Sequence, residues 1–179
     1  GFAALDSQAQ VPALQKAADA GIPIVAFDSG VESDLPLTTC TTDNVNAAGA
    51  AADKLAEAIG GEGEVAAQIH DQTSATGIGR RDGFLNRMKE KYPKITVVDV
   101  KYANDALKSA DDIKATMQAF PNLKGMFASN EGAAIGLLRG LQQIATVRHH
   151  GGVLGRYNGE AGRAGKSREP LQPLIARAH

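Results

Sequence analysis

Over its first 146 residues the chain switches repeatedly between short β-rich apolar runs and longer stretches whose apolar positions recur at helical spacing. Val11, Leu14, Ala17 and Ala18 share that spacing and predict a helix over residues 8–20, which Gly21 stops. Ile22-Pro23-Ile24-Val25-Ala26-Phe27 predicts a short buried strand, and residues 35–41 predict a second. An Ala-rich helix over 44–59 closes at Gly60-Gly61. The alternation then continues, with strands predicted over 64–70, 95–102 and 123–128 and helices over 74–91, 106–120 and 131–143. Strands separated by helices of this length imply right-handed crossovers and a parallel sheet, an α/β fold. In such sheets the functional groups lie just past the carboxyl ends of the strands.

Those positions are polar and of one kind. Asp28 and Ser29 follow the first strand, and Thr42, Asp43 and Asn44 follow the second. His70, Asp71 and Gln72 follow the third, with Arg80 and Arg81 further along the next helix. Asn104 and Asp105 follow the fourth, and Ser129, Asn130 and Glu131 the fifth. Asp, Asn, Gln and Arg are planar groups with several fixed donors or acceptors. A carboxylate takes two hydroxyl donors and a guanidinium fork gives to two oxygens. The set therefore suits a ligand carrying many hydroxyls, such as a sugar. Asp43, Asn44 and Asn130 also suit helix N-caps, and one residue can serve both ends. Arg81 reads as a solvated helix face and His70 as a strand-end surface residue.

Composition narrows the picture. Apolar residues make up 43 % of the chain, aromatics only 4 %, and Trp is absent, so the core must be built from Ala, Val, Ile and Leu. A net charge of −1 gives no reason to expect nucleic acid or an anionic membrane as partner. No apolar run approaches the ~18 residues of a membrane span. Cys40 is the single cysteine and reads as a small buried hydrophobe. No cofactor motif, metal-ligand spacing or nucleophile with a base emerges, so the expectation is a non-enzyme without cofactors or metal.

After Thr146 the composition breaks. Residues 147–179 hold six basic and two acidic residues, six glycines and three of the four histidines, and no strand or helix period is legible there. The segment reads as a basic, Gly-rich tail, disordered or out of frame.

Three local look-alikes fail on spacing or context. Gly77-Ile78-Gly79-Arg80-Arg81-Asp82-Gly83 imitates a dinucleotide loop, but its glycines fall inside a predicted helix. Residues 159–167 imitate a phosphate loop with the first glycine displaced by one. Asp111 and Asp112 read as early-helix partners of the macrodipole.

Four segments resemble the ribose- and galactose-type periplasmic sugar-binding proteins. They are Ile22 through Gly30, the helix opening Thr42-Asp43-Asn44-Val45, the run Thr76-Gly77-Ile78-Gly79-Arg80-Arg81-Asp82-Gly83-Phe84, and Phe127-Ala128-Ser129-Asn130-Glu131-Gly132-Ala133-Ala134-Ile135-Gly136. The resemblance implies the type I fold of two Rossmann-like lobes with hinge crossovers. Residues 1–43 would be the remnant of an incomplete N-terminal lobe and 44–146 the C-terminal lobe. It implies non-catalytic sugar binding between the lobes and delivery to the membrane permease of an ABC transporter, by a periplasmic monomer. The alternative on the same fold is the effector domain of a LacI-type transcription regulator. By the resemblance Asp28 accepts sugar hydroxyls, Arg80 clamps ring or hydroxyl oxygens and Asn130 adds a polar contact, with Ser29, Asp43 and Asn104 as further contacts. Ser29 stands where ribose binders usually carry a second Arg, and Asn104 where an aromatic often packs on the sugar. The resemblance also implies a strand-helix pair before Gly1 and, after residue 146, a Val-rich strand ending in a ligand-binding Asp. The expected explanation of the tail is a shifted reading frame after Thr146. Sequencing the DNA through codon 146 checks it: a one-base change should restore a family-like strand, and failure of every such change would refute the idea.

Overall fold

The computed structural model describes residues 1–150, with side chains described through residue 144. The phosphate-loop look-alike and most of the basic tail lie outside the described residues. Helix α1 (Val11–Asp19) is followed by β1 (Val25–Phe27) and β2 (Thr38–Cys40). Then come α2 (Asn44–Ala58), β3 (Gly63–Ile69), α3 (Ala75–Lys91), β4 (Ile95–Tyr102), α4 (Ala106–Ala119), β5 (Leu123–Ala128) and α5 (Glu131–His150). The predicted alternation is present throughout. Helix α5 overruns its expected end and continues to His150, past the composition break.

All strand pairs are parallel. Strands β1 and β2 form one sheet, which Phe2 joins through a single parallel bridge to Ala26. Strands β4-β3-β5 form the second sheet in that order. Both neighbours of β3 pair with it parallel, so each connection carries a helix across a sheet face.

The second sheet is covered on both faces. On one, α2 and α3 pack over Val65, Ala67 and Ile69, and Phe84 stacks on Phe127 with ring centroids 4.5 Å apart. On the other, Ile113, Ala133, Ala134 and Leu137 pack over Ala66 and Met126. The core is thus largely the aliphatic and Ala assembly that the composition demands, with Phe84 and Phe127 as its large members.

The first sheet differs from expectation. Strand β1 is shorter than the predicted run and buries only its central Ala26, while Phe27 is 53 % exposed. Leu37, before β2, is 75 % exposed, and α1 buries none of its residues. Two short strands offer too little surface to bury both faces. Cys40, expected to be buried, is exposed at the end of β2 for the same reason. Asp111 and Asp112 also depart from expectation. They lie beyond the first turn of α4 and pair along the helix with Lys114 and Lys108.

Small residues set how closely the helices approach. Helix α2 presents Ala48, Ala52 and Ala56 to the core, and Gly83 of α3 lies against the backbone of Val45. A Cβ at Gly83 would stand 2.8 Å from the Val45 Cα and closer still to its carbonyl oxygen. The α2-α3 pair is also tied at its other end, where Asp53 takes the Tyr92 hydroxyl at 2.8 Å and the Lys91 ammonium at 3.2 Å. Gly132, Gly136 and Gly140 do the same for α5: a Cβ at Gly136 would lie 2.8 Å from the Ala106 oxygen. Gly83→Ala should therefore force backbone apart and cost roughly 1–3 kcal/mol in urea unfolding. Gly21→Ala, with open space but a φ of 73°, should cost about 1–2 kcal/mol through strain alone. A Gly83→Ala unfolding midpoint equal to wild type would refute the packing argument.

Candidate functional site

The close approach of α2 to α3 brings Asn44, the first residue of α2, beside Arg80 in α3. Arg80 Nε donates to Asn44 Oδ1 at 2.8 Å and Nη1 donates to the Ser129 carbonyl at 2.7 Å. A guanidinium carries five N–H donors, so most of the fork is left for a ligand. Asn44 Nδ2 in turn donates to the Thr42 carbonyl at 2.9 Å. Asn44 is thus not the cap of its helix. It anchors Arg80 to residues 41–43, where the chain passes from the first sheet to the second. Asp43 is the cap: its carboxylate accepts from the Asn46 backbone N–H at 3.1 Å and the Asn46 amide at 2.7 Å, which hold its carboxyl below the usual range.

The ends of β4 and β5 meet in the same way. Asn130 Oδ1 accepts the Ala133 N–H at 2.9 Å and caps α5, while its Nδ2 donates to Asn104 Oδ1 at 3.0 Å. Gly132 permits the contact, since a Cβ there would lie 2.6 Å from the Asn104 carbonyl oxygen. Arg80, Asn104 and Asn130 are therefore brought to one end of the second sheet, Arg80 bonding the residue just before Asn130.

Asp28 comes from the first sheet. It occupies the left-handed region at φ 59°, which non-glycine residues seldom adopt. A tight turn holds it there: the Ser29 N–H donates to Phe27 O at 2.8 Å, and the Asp28 N–H donates to Cys40 O at 2.8 Å. The Thr41 hydroxyl donates to the Asp28 carbonyl. Ser29 is buried, and its carbonyl accepts the Ala4 N–H at 2.8 Å. Backbone strain of this kind persists where surroundings over-determine it, commonly at ligand sites.

A cleft of about 550 Å³ opens between the first sheet with its loops and the starts of α2 and α3. Asp28, Asp43, Asn44, Thr76 and Asp82 are among the residues that line it; Ser29, Arg80, Asn104 and Asn130 are not. The lining carboxylates of Asp43 and Asp82 are engaged by Asn46 and Arg81. No such partner holds the Asp28 carboxylate among the described residues.

The sequence places His70 and Ser129 at strand ends, but their contact with each other was not legible in it. His70 is not the expected surface residue: its side chain is only 10 % exposed. Ser129 Oγ lies 2.9 Å from the His70 Nδ1 and also accepts the His70 backbone N–H at 2.9 Å. His70 Nε2 lies 3.3 Å from Asp71 Oδ2. Burial lowers the imidazole's pKa, the Asp71 carboxylate opposes that, Arg80 adds to the lowering and Asp28 opposes it. Burial alone would raise Asp71, but hydrogen bonds from Ser74 and Thr73 leave it lowered. Ser, His and Asp in sequence of contact resemble a nucleophilic triad, yet Ser129 is fully buried. A substrate carbonyl has no access to its hydroxyl, and the contact fixes His70 instead. Nothing in the sequence pairs position 70 with position 129, because only the adjacency of β3 and β5 does so. Arg81, expected on a solvated face, is partly buried and bonds Asp82 at 2.6 Å. The glycines of the dinucleotide look-alike lie within α3, as expected, and pack against neighbours. Among the described residues, no group of three or more His, Cys, Asp or Glu is placed to hold a metal ion.

The chain is 26 % identical over 132 residues to the D-apiose import binding protein of Actinobacillus succinogenes, covering 73 % of this chain and 42 % of that one. It is 27 % identical over 137 residues to the ribose import binding protein of Bacillus subtilis, covering 76 % and 44 % respectively. A solved ABC transporter solute binding protein from Agrobacterium vitis, bound with alpha-D-tagatopyranose, superposes with a TM-score of 0.76 at 34 % identity. That match covers 80 % of this chain and 51 % of the other. The chain thus spans about half the length of its relatives or somewhat less, and those relatives are sugar-binding proteins of import systems. The periplasmic binding protein domain family matches residues 1–154, a span that takes in every element described above and runs past the composition break, and the chain belongs to that family.

Proposed function

We propose that the protein binds a sugar or similar polyhydroxylated small molecule between two lobes, without catalysis, and hands it to an ABC-type permease in the periplasm. Residues 1–43 contribute to one lobe and 44–146 form the other, with residues 41–43 as a hinge crossing. The observation that carries this reading is the Asp28 carboxylate. It lines the cleft, has no described hydrogen-bond partner, and sits on a strained turn that fixes its direction. A carboxylate so held accepts two hydroxyls of a sugar edge. Behind the cleft-lining Asn44 and Gly79, Arg80, already anchored by Asn44 and Ser129, supplies its remaining N–H donors to ring or hydroxyl oxygens once the ligand reaches the end of the second sheet. Asn130, Asn104 and Asp43 offer further amide and carboxylate groups at the same end of the strands, and Ser29 supports the Asp28 turn. A cavity of about 550 Å³ falls in the range that suits small ligands.

The mechanism is population shift. A ligand bridging Asp28 on one lobe and Arg80 on the other has differential affinity for the closed arrangement, and closure follows. The sugar-binding relatives support the substrate class, and their membership of import systems supports delivery to a permease.

The full-length gene product should bind at least one of D-tagatose, D-ribose and D-apiose by isothermal titration calorimetry, and leave it chemically unchanged on incubation. Asp28→Asn and Arg80→Lys should each weaken that binding roughly 10- to 100-fold, the scale of a lost charge-assisted hydrogen bond. Unaltered affinity in both variants would remove Asp28 and Arg80 from the site. Turnover of the bound sugar would replace the binding-only reading with an enzymatic one.

A further inference from the structure

Buried against the Arg80 anchor is an imidazole that the binding scheme above does not use. His70 directly follows β3, and Ser129 directly follows β5, the neighbouring parallel strand. Ser129 is held from both sides: its hydroxyl meets His70 twice, and its carbonyl accepts Arg80 Nη1. The ring of His70 is therefore one residue removed from the guanidinium.

The hydrogen-bond pattern assigns the tautomer. The Asp71 carboxylate stands 3.3 Å from Nε2 and the Thr76 hydroxyl 3.4 Å from it. A carboxylate beside Nε2 requires a proton there. Nδ1 is then the acceptor, and the Ser129 hydroxyl donates to it while its oxygen accepts the His70 backbone N–H. In this state every polar group of the pair is satisfied. Protonating Nδ1 reverses the donor and forces the Ser129 hydroxyl to turn. It also places a second cation beside Arg80.

We infer that His70 is a positioning residue for the sugar site: its neutral ring, acting through Ser129, holds the Arg80 guanidinium in its ligand-binding orientation. The inference rests on the proposed role of Arg80. The charged groups facing the ring are Asp71 at the end of its own strand, Arg80 from α3 and Asp28 from the first sheet, and the uncharged ones are Thr76 of α3 and Ser129 after β5. Burial is the largest influence on the ring and favours its neutral form, so the neutral state persists below the ordinary value of 6.5. The folded protein resists the proton that the unfolded chain accepts. Stability from this group is therefore full above the ordinary value and is lost as pH falls through the lowered folded value.

Two measurements on the full-length protein test the inference. The first is D-tagatose affinity from pH 7.5 to pH 5.5, above the ordinary carboxylate range. Wild type should weaken as the ring takes up its proton, by up to the order of fivefold, the scale of one hydrogen bond. In His70→Gln, whose amide accepts from Ser129 and donates to Asp71 without titrating, the curve should be flat. His70→Ala should bind more weakly than His70→Gln at pH 7.5, the amide rescuing part of the loss. The second is the ¹⁵N resonance of the Arg80 Nε–H in the sugar-free protein, assigned by its disappearance in Arg80→Lys. It should titrate with a midpoint below 6.5 in wild type and not in His70→Gln. An Arg80 signal that ignores His70 overturns the inference whatever the sugar result. A wild type that leaves D-tagatose unbound while Arg80 follows His70 counts against D-tagatose as ligand and upholds the positioning role. An acid limb that survives in His70→Gln assigns the pH dependence to another group and overturns the inference.

Discussion

The contact on which the site most depends is the one between Gly83 of α3 and the backbone of Val45 in α2. Two helices on one face of a sheet ordinarily stand apart by the bulk of their side chains, with axes 8–10 Å apart. Here glycine removes that bulk where the helices approach the carboxyl edge of the sheet. The first turn of α2 therefore lies against α3, and the Asn44 amide reaches Arg80 one turn away. Without that approach the guanidinium would lose its Nε partner. The second helix pair repeats the solution, with Gly132, Gly136 and Gly140 admitting α4 and the Asn104 loop against α5. In both pairs glycine serves to bring two polar residues from different elements within hydrogen-bond distance.

The two sheets are covered to different extents. On the second-sheet side, Arg80, Asn44, Ser129, Asn104 and Asn130 bond to one another or to capped helix ends, over a core that is covered on both faces. The first-sheet side is a two-stranded sheet whose apolar Phe27 and Leu37 are largely exposed. Asp28 is nevertheless well fixed, because three backbone-directed hydrogen bonds define its turn. One of these comes from Thr41, in the same short segment whose Thr42 carbonyl is held by Asn44. The crossing between the sheets is thus tied to an acidic group on one side and to the anchor of a basic group on the other.

Much of this was legible in the chain. Apolar periodicity located every helix and strand among the described residues, because amphipathic periods depend only on neighbours in sequence. Strands β4 and β5 fall where the pattern places them, whereas β1 is cut to its last residues. Its buried-strand reading assumed cover on both faces, and the exposure of Ile22, Phe27 and Cys40 follows from the lack of it. The strand-end rule selected Asp28, Asn104 and Asn130, and the resemblance singled out Arg80. Asp43 was legible as a cap, since an Asp three residues before an amide donor is a local arrangement.

What the sequence by itself determined is therefore the parallel α/β alternation, the polar character of the strand ends, and the family to which those segments point. Each depends on local spacing or on motifs read in order. Tertiary structure decided which polar residues meet. That Asn44 anchors Arg80 rather than capping its own helix depends on a glycine contact spanning 38 positions from Val45 to Gly83. That His70 is buried against Ser129 depends on β3 and β5 being neighbours, though β4 lies between them in the chain. Hydrogen bonds are set by distance in space, and the sheet order that fixes those distances is not contained in any single segment.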